Sequence, residues 1–429
     1  MAQQARNTEI DDMTKGIPFG ARIAPAETAQ RNWNALDDDL PFPLLLLKDS
    51  ALEHNITAMA RWCAQNGFLL APHGKTTMCP QIYRRQLEAG AWAIAVANVF
   101  QAQVCARFGV QRVFIANQVV GRANIRSLAE MMRAFPSLEC WCLADSVAGV
   151  RHLAAALEEF SASRPLQVLL ECGRRGWRTG VRSLEQARQV HAEILEHSRC
   201  LVFRGLEGFE GLAKSAEGPD AEAAEARAFV DFIVAVGKCL PPQPGDGQPP
   251  VFSIGGSAFL DVVWEALERL QGAWQPVLRP GCYVTHDHGH YAAYHREATR
   301  RRQQQGRAPL PEFQPALELW SAVQSLPEEG VAILNFGKRD CAFDLGLPIP
   351  LFAIAERGGL DSRRALDGAA ITRLNDQHAF LSLPAGLALS VADRVCCGIS
   401  HPCTAFDKWR VIPLVDDRYQ VLDLYATFF

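Results

Sequence analysis

The sequence predicts an α/β protein, a (β/α)8 barrel of the TIM type followed by a C-terminal all-β domain. Short apolar runs alternate with amphipathic stretches from Pro43 to about Tyr283, and strands that are apolar throughout are typical of a parallel sheet covered on both faces. About eight such units fit a closed barrel better than an open doubly wound sheet. After His286 the apolar residues alternate with polar ones between Gly, Pro and Asp turns, which predicts antiparallel strands.

The predicted strands and helices follow these two patterns along the chain. The candidate barrel strands are Leu44–Lys48, Phe68–Ala71, Ala93–Ala97, Val113–Ala116, Leu138–Leu143, Leu166–Glu171, Phe203–Gly208, Val251–Ile254 and Val277–Leu278. The helical patterns between them include Ser50–Asn66, Cys79–Ala89 and Ala221–Cys239. The candidate strands of the β domain are Val331–Phe336, Leu351–Ala355, Ala379–Leu383 and Tyr419–Leu424.

The predicted domain organisation has three parts. Residues 1–42 form an N-terminal segment that is expected to pack on the β domain, residues 43–285 form the barrel, and residues 286–429 form the β domain. Pro- and Gly-rich residues 240–250 predict a loop inside the barrel, and residues 300–315 predict a flexible connector.

Composition excludes several classes of protein. The 429 residues carry a formal net charge of −4, so they lack the basic footprint of a nucleic-acid-binding protein. No apolar stretch reaches the roughly 18 residues that span a bilayer. The polar N-terminus has no signal-peptide core, and the 13 cysteines are scattered without framework spacing. We therefore expect a cytoplasmic protein with no membrane partner.

Lys75 is the first candidate catalytic residue along the chain. It lies in the stretch APHGKTTMCP, just after the apolar run Phe68–Leu70, where burial of an ammonium group is costly unless it is compensated. Functional groups of a barrel gather at the carboxyl ends of its strands. A lysine there can form a Schiff base with an aldehyde if an apolar surround lowers its pKa.

Polar residues at other strand ends complement this lysine. In SIGGS, Gly255, Gly256 and Ser257 lead into a helix, and glycine amides at a helix N-terminus favour a phosphate. A reactive lysine together with a phosphate cradle predicts pyridoxal phosphate as the cofactor. Further candidates at strand ends are His73, Asn98, Asn117, Gln118, Asp145, Glu171, Arg174, Arg178, Glu207 and Glu210.

The stretch APHGKTTMCPQIYRRQLEAGAWAIAVANVFQA, residues 71–102, resembles fold-type III pyridoxal phosphate enzymes, in the branch of D-threonine aldolases and D-serine dehydratases. The similarity continues through IANQVVG, RTGV, SIGGS, RPGCYV and SHPCTAFDKW. The resemblance implies a barrel like that of alanine racemase and a homodimer, with Lys75 as the lysine that holds the cofactor. The other implied cofactor contacts are His73, Arg178, Gly255, Gly256, Ser257 and Tyr283.

The stretch HPC near the C-terminus would by itself be interpreted as a loop at a strand end, but the resemblance implies that it is a metal site. Imidazole and thiolate, here His401 and Cys403, both suit Zn²⁺. In the family that the chain resembles, the aldolases carry His-x-Asp with a harder ion, whereas the dehydratases carry His-x-Cys with zinc. The two residues follow Lys75 by more than 300 positions, so the β domain is expected to close over the barrel mouth.

Two other features bear on the site. The stretch THDHGHY holds His286, His288 and His290, and we interpret it as a solvated or interface loop, with a second metal site as the alternative. Gly208-Phe209-Glu210-Gly211 has phenylalanine where relatives often have tyrosine, and RRGW at 174–177 looks inserted. Both departures bear on the contacts to the cofactor ring.

Together with these residues, the resemblance implies a lyase that dehydrates and deaminates a D-β-hydroxy amino acid, with D-serine giving pyruvate and ammonia. Zinc draws away the β-hydroxyl in this scheme. Aldol cleavage to glycine and an aldehyde is the first alternative, and an amino acid racemase is a second. A non-catalytic cofactor carrier and a barrel hydrolase that uses the His cluster complete the alternatives, although the long C-terminal domain and HPC argue against a carrier.

Overall fold

The computed structural model describes residues 10–240, 248–269, 272 and 274–429. Most of the loop predicted at 240–250 therefore lies outside the described residues. The described chain forms an eight-stranded parallel sheet and a separate antiparallel sheet. The predicted fold class is thus confirmed.

The parallel sheet is the barrel. Its strands are β4 (Leu69–Leu70), β5 (Ile94–Val96), β6 (Arg112–Gln118), β7 (Glu139–Ala144), β8 (Leu166–Cys172), β9 (Leu201–Gly208), β10 (Val251–Ile254) and β11 (Gln275–Leu278). They follow the order β4-β11-β10-β9-β8-β7-β6-β5. The first and last strands meet where the Ala95 amide donates to the Pro72 carbonyl at 2.9 Å and His73 bridges Ala95. The ring therefore closes two residues before Lys75.

Helices cover the barrel. They are α1 (Asp49–Gln65), α2 (Pro80–Glu88), α3 (Val99–Arg107), α4 (Arg122–Ala134), α5 (Val147–Glu159), α6 (Leu184–Glu196), α7 (Pro219–Cys239), α8 (Leu260–Glu268) and α9 (His290–Gln304). Side-chain caps start several of them, as where Asn98 accepts from the Gln101 amide and Ser183 from the Gln186 amide. Among the residues that the structure describes, no helix combines the length and apolarity needed to cross a bilayer.

The antiparallel sheet forms the β domain. Its C-terminal strands are β12 (Leu317–Glu328), β13 (Val331–Leu334), β14 (Ile349–Ile354), β15 (Arg364–Ala365), β16 (Ala370–Leu374), β17 (Ala379–Ser382), β18 (Arg394–Gly398), β19 (Val411–Val415) and β20 (Val421–Ala426), and the short helix α10 (Cys403–Phe406) lies between β18 and β19. The predicted strands of this domain match β13, β14, β17 and β20 to within about two residues. The long strand β12 was not predicted.

Strand β3 (Leu44–Lys48) corrects the prediction that this run opens the barrel. It pairs with β12 and β19 in the antiparallel sheet instead. Leu45 and Leu47 pack in one hydrophobic cluster and Leu44 and Leu46 in another, so both faces of the strand are buried. A strand buried on both faces has the apolar sequence of a barrel strand, which explains the error.

The segment 285–291 also differs from its prediction as a solvated or interface loop. His286 and Asp287 are buried, and the Asp287 carboxylate accepts from the amides of Gly289, Tyr291 and Ala292 at 2.9–3.1 Å. It thereby caps α9, which occupies part of the predicted flexible connector. Arg301 of α9 pairs with buried Asp261 of α8 at 2.7 Å, so this helix packs on the barrel.

The N-terminal segment lies against the antiparallel sheet. Strands β1 (Ile10–Asp11) and β2 (Arg22–Ile23) pair with each other. Ile10 and Ile23 share a buried cluster with Trp320 of β12. The described part of this segment therefore completes a core of the β domain.

Candidate active site

Lys75 projects from a tightly held turn at the mouth of the barrel. The turn, Gly74–Thr76, follows β4, and the Tyr83 hydroxyl donates to the Gly74 carbonyl at 2.7 Å. A Cβ on Gly74 would lie 2.8 Å from the side chains of Tyr83 and Ile94, so only glycine allows this packing. Lys75 itself is exposed, and its amine is presented to the mouth on a fixed backbone.

Three cations converge near His73. Burial lowers the pKa of His73 well below its usual value, and the positive charges of Lys75, Arg279 and Arg178 lower it further. The imidazole is therefore neutral at physiological pH. Its Nδ1 has no hydrogen-bond partner among the described residues. The strand ends thus bring together Lys75, His73 and Arg178, which the sequence analysis had singled out.

Carboxylates from neighbouring strand ends face these cations. Glu207, at the end of β9, forms a buried ion pair with Arg279, whose guanidinium also donates to the Gly208 carbonyl at 3.0 Å. Burial raises the pKa of Glu207 to about 8 against the opposing effect of Arg279. Glu171, at the end of β8, accepts from Gln118 and, at 2.7 Å, from Thr179. Burial also raises the pKa of Glu171.

The glycine loop after β10 has the backbone conformation expected of a cradle, but its amide is engaged. Gly256 has φ +93°, and a Cβ on Gly255 would lie 2.8 Å from the Phe209 ring. The Gly256 amide donates to Glu210 Oε1 at 2.8 Å, and Ser257 Oγ accepts from the Gly281 amide at 3.4 Å. A phosphate at this loop would therefore lie next to the carboxyl group of Glu210. Burial raises the pKa of that carboxyl group.

The two remaining predicted cofactor contacts differ in burial: Tyr283 is buried, whereas Arg178 is exposed. The buried Tyr283 hydroxyl accepts from Gln86 Nε2 at 2.9 Å. The Arg178 guanidinium is exposed and lies over the Phe209 ring at 4.6 Å from its centroid. Phe209 thus provides a cation–π surface for Arg178. The cofactor roles of both residues stay predictions.

His401 and Cys403 lie together, and a third candidate ligand, a second cysteine, joins them. Cys282, in the turn after β11, lies with its Sγ 3.5 Å from Cys403 Sγ. The candidate ligand atoms of Cys282, His401 and Cys403 all lie within 4.8 Å of one another, the one such group in the described chain. His286, His288 and His290 are not part of it.

Hydrogen bonds fix the orientation of His401. Its Nδ1 is 2.8 Å from Asp344 Oδ2, and Thr404 donates to Asp344 Oδ1 at 2.7 Å. Nε2 is thereby the nitrogen left for a metal, an arrangement typical of metal-binding histidines. Hydrogen bonding from Cys282, together with His401 and Thr76, lowers the pKa of Cys403 despite burial, which favours its thiolate.

The sequence analysis missed Cys282, Asp344 and Arg279 as site residues. Two of them stand in RPGCYV, at the end of a predicted barrel strand. The rule that strand ends carry the site could therefore have found them. Asp344 comes from a loop of the β domain between β13 and β14, and no local pattern marks it.

We predict that Gly256→Val lowers the affinity for pyridoxal phosphate at least about tenfold, because a side chain at this left-handed position, 3.3 Å from Leu278, displaces the loop that is predicted to hold the phosphate. Cofactor titration of the apo-protein measures the effect. Gly109→Val is the matched control, since Gly109 has a similar φ of +84° but open space around it. Equal affinity in the two variants would contradict the assignment.

Comparisons with known proteins identify two domain families along the chain. Residues 48–284 match the family described as "Alanine racemase, N-terminal domain", and residues 316–415 match "Putative serine dehydratase domain". The 3-hydroxy-D-aspartate aldolase of Paracoccus denitrificans (strain Pd 1222) is 24% identical over 314 residues, which are 73% of this chain and 76% of the aldolase.

Solved structures extend the similarity to nearly the whole chain. D-threonine aldolase from Filomicrobium marinum has a TM-score of 0.72 at 24% identity and covers 91% of this chain and 95% of its own. D-threo-3-hydroxyaspartate dehydratase from Delftia sp. HT23 has a TM-score of 0.70 at 19% identity. The similarity covers 92% of this chain and 99% of the dehydratase chain. A cysteine-to-alanine mutant of that dehydratase is known in a metal-free form.

Proposed function

Because the chain belongs to the alanine racemase N-terminal domain family, the fold-type III pyridoxal phosphate enzymes, we propose that it is a lyase of D-β-hydroxy amino acids. More specifically, it dehydrates a D-serine-like substrate to a 2-oxo acid and ammonia, with zinc held by His401 and Cys403. The match to a serine dehydratase domain over residues 316–415 supports this choice.

The observation that carries the proposal is a contact between the barrel and the β domain. Thr76, the residue after Lys75, has its Oγ1 3.3 Å from Cys403 Sγ. A metal held at Cys403 would therefore lie beside the turn that presents Lys75. A substrate whose α-amine is near Lys75 could then reach the metal with its β-hydroxyl. Both halves of the chemistry come from one chain.

The residues at the mouth fit pyridoxal phosphate. Lys75 is exposed on a fixed turn, and several buried polar atoms around it have no hydrogen-bond partner in the described part of the chain. These atoms are His73 Nδ1, Glu207 Oε2, Glu210 Oε2 and Arg279 Nε. Buried polar groups are normally hydrogen-bonded, so a polar group at the mouth would satisfy them.

The donor set at HPC fits zinc. Zinc prefers thiolate and imidazole ligands, whereas Mg²⁺ and Ca²⁺ prefer oxygen ligands. Asp344 holds His401 through Nδ1, which raises the basicity of the ligand and fixes the ring. The site therefore favours a soft ion.

Each residue has a defined task in this reaction. Pyridoxal phosphate, when bound, supplies an electron sink at Cα, and zinc supplies Lewis acidity towards the β-hydroxyl. Lys75 Nζ holds the cofactor and later accepts the Cα proton. Neutral His73 and the buried pair Glu207–Arg279 line the mouth behind Lys75. Arg178, which lies over Phe209, would lie beside the ring of the bound cofactor.

We predict that Arg178→Ala shifts the visible spectrum of the bound cofactor and lowers turnover at least about tenfold, because an arginine beside the ring sets its charge distribution. Absorbance and steady-state rates measure the two effects. Arg175→Ala, at an exposed arginine in the same loop, is the control. A spectrum and turnover unchanged in Arg178→Ala would leave Arg178 as an ordinary surface arginine.

Product analysis tests the proposed reaction. The protein is incubated with D-serine, D-threonine and 3-hydroxy-D-aspartate, and the products are separated. Dehydration gives a 2-oxo acid and ammonia, whereas aldol cleavage gives glycine and an aldehyde. Formation of glycine without ammonia from all three substrates would overturn the dehydratase proposal. L-enantiomers serve as controls for stereospecificity.

Aldol cleavage is the second candidate, and one observation favours it. The relatives described above include a 3-hydroxy-D-aspartate aldolase and a D-threonine aldolase. The same Lys75 and metal group would serve that reaction if the β-hydroxyl lost its proton and the Cα–Cβ bond broke. The soft ligand Cys403 is the residue that argues for dehydration instead.

A further inference from the structure

Cys282 lies in a place that the proposed function does not use. It stands in the turn Cys282–Val284, which three residues separate from the end of β11, and 3% of its surface is exposed. Its Sγ is 3.5 Å from Cys403 Sγ. The two thiols are too far apart for a disulfide, whose sulfur atoms are bonded at about 2.0 Å.

The separation suits two ligands of one tetrahedral ion. With Zn–S bonds of about 2.3 Å, two thiolates on a tetrahedral zinc lie about 3.8 Å apart. The observed 3.5 Å is within a few tenths of an ångström of that value. The ligand atoms of Cys282, His401 and Cys403 span at most 4.8 Å, so a single ion can reach all three with small rotations of the side chains.

We propose that Cys282 is a third protein ligand of the metal, so that the site is a Cys₂His centre with one open position. This inference rests on the proposed function, because it concerns the metal that His401 and Cys403 are proposed to hold. Three protein ligands and one open position are the arrangement of catalytic zinc sites.

The local backbone supports this role. A Cβ on Gly281 would overlap the Thr76 hydroxyl and approach the backbone of His73, so the glycine before Cys282 lets its turn approach the Lys75 turn. The carbonyl of Cys282 accepts from the His286 amide at 2.7 Å, which fixes the turn. Cys282 is thereby held by the barrel, whereas His401 and Cys403 belong to the β domain.

A third ligand has chemical consequences for the reaction. Two thiolates neutralise the charge of the ion and strengthen the preference for zinc over the hard ions Mg²⁺ and Mn²⁺. One open position admits a single substrate oxygen. The substrate would then bind the metal through its β-hydroxyl alone, and its carboxylate would need protein partners. Such monodentate binding restricts the site to substrates that place one hydroxyl beside Lys75.

Cobalt substitution of the holoenzyme tests the inference without using activity. Each thiolate bound to Co²⁺ contributes a near-ultraviolet charge-transfer band. We expect Cys282→Ser to lower this band to about half and to weaken metal binding at least about 100-fold, since even the loss of outer-shell partners costs 10–100-fold. Cys140→Ser, at a buried thiol of β7, is the control and should change neither.

X-ray absorption on the unmodified zinc protein provides a measurement that needs no variant. The inference requires two sulfur neighbours at about 2.3 Å. A single sulfur neighbour, or a full cobalt band and full affinity in Cys282→Ser, would overturn it. If Cys403→Ser still loses metal in that case, the proposed His401–Cys403 site survives. If Cys403→Ser and His401→Ala both keep full metal affinity, the proposed metal site itself is wrong.

Discussion

Lys75→Ala is expected to remove covalent attachment of pyridoxal phosphate and to abolish turnover. The loss of the proton acceptor alone should cost about 10²–10⁴-fold in rate, and the loss of the attachment point adds to it. Borohydride reduction of the loaded protein, followed by peptide mass analysis, should find the cofactor on the peptide that contains Lys75 in the unmodified chain and on none in the variant.

Two further variants separate attachment from charge. Lys75→Arg keeps the positive charge near His73 but offers no primary amine, so it should be as inactive as Lys75→Ala. Lys338→Ala, at an exposed lysine of the β domain, should behave like the unmodified chain. A Lys75→Ala protein that still turns over and retains reducible cofactor would overturn the assignment.

Metal removal should have the second large effect. We expect the chelated enzyme to lose dehydration of D-serine by at least about 10³-fold, because hydroxide is a poor leaving group and a metal lowers that barrier by several kcal/mol. The bound cofactor and exchange of the Cα proton with solvent should remain, since Lys75 performs both without the metal. Ammonia release and proton exchange in D₂O measure the two steps separately.

Zinc added back to the chelated enzyme should restore dehydration. Cys403→Asp replaces a thiolate with a carboxylate and should weaken zinc, admit a harder ion and shift the product towards glycine. Full dehydration by a verified metal-free enzyme would contradict the role of zinc, and HPC would then be only a loop.

The barrel and most of its site residues could be predicted because local sequence determines them. Lys75, Glu171, Glu207 and Gly256 each lie at or just after the end of an apolar strand, and the carboxyl ends of parallel strands meet at one edge. Their neighbourhood therefore follows from strand order alone. The structure confirms the alternation of strands and helices from β4 to β11.

The features that were missed depend on contacts between distant segments. Strand β3 has the same apolar sequence as a barrel strand, and only its pairing with β12 and β19 decides its sheet. Asp344 approaches His401 across 57 residues. The charged residues of α9 look solvated, yet Arg302 packs over Trp264 at 3.5 Å from the ring centroid. A sequence does not show whether an arginine buries the aliphatic part of its side chain or extends the whole side chain into solvent.

The position of β3 has a consequence for the order in which the chain acquires its structure. The chain leaves the antiparallel sheet at Lys48, builds the whole barrel and returns at Leu317, so the barrel is an insertion within the β domain. Joining β3 to β12 across an unfolded loop of that length would cost about 5 kcal/mol of closure entropy.

A barrel that has already folded holds those two ends near each other and removes most of this cost. We therefore expect the barrel to form first and the sheet to be completed afterwards. A fragment that begins at residue 286 would lack β3 and leave β12 and β19 with exposed edges. Unpaired edges of this kind promote aggregation, so we expect the fragment to aggregate, which sedimentation of the isolated fragment would reveal.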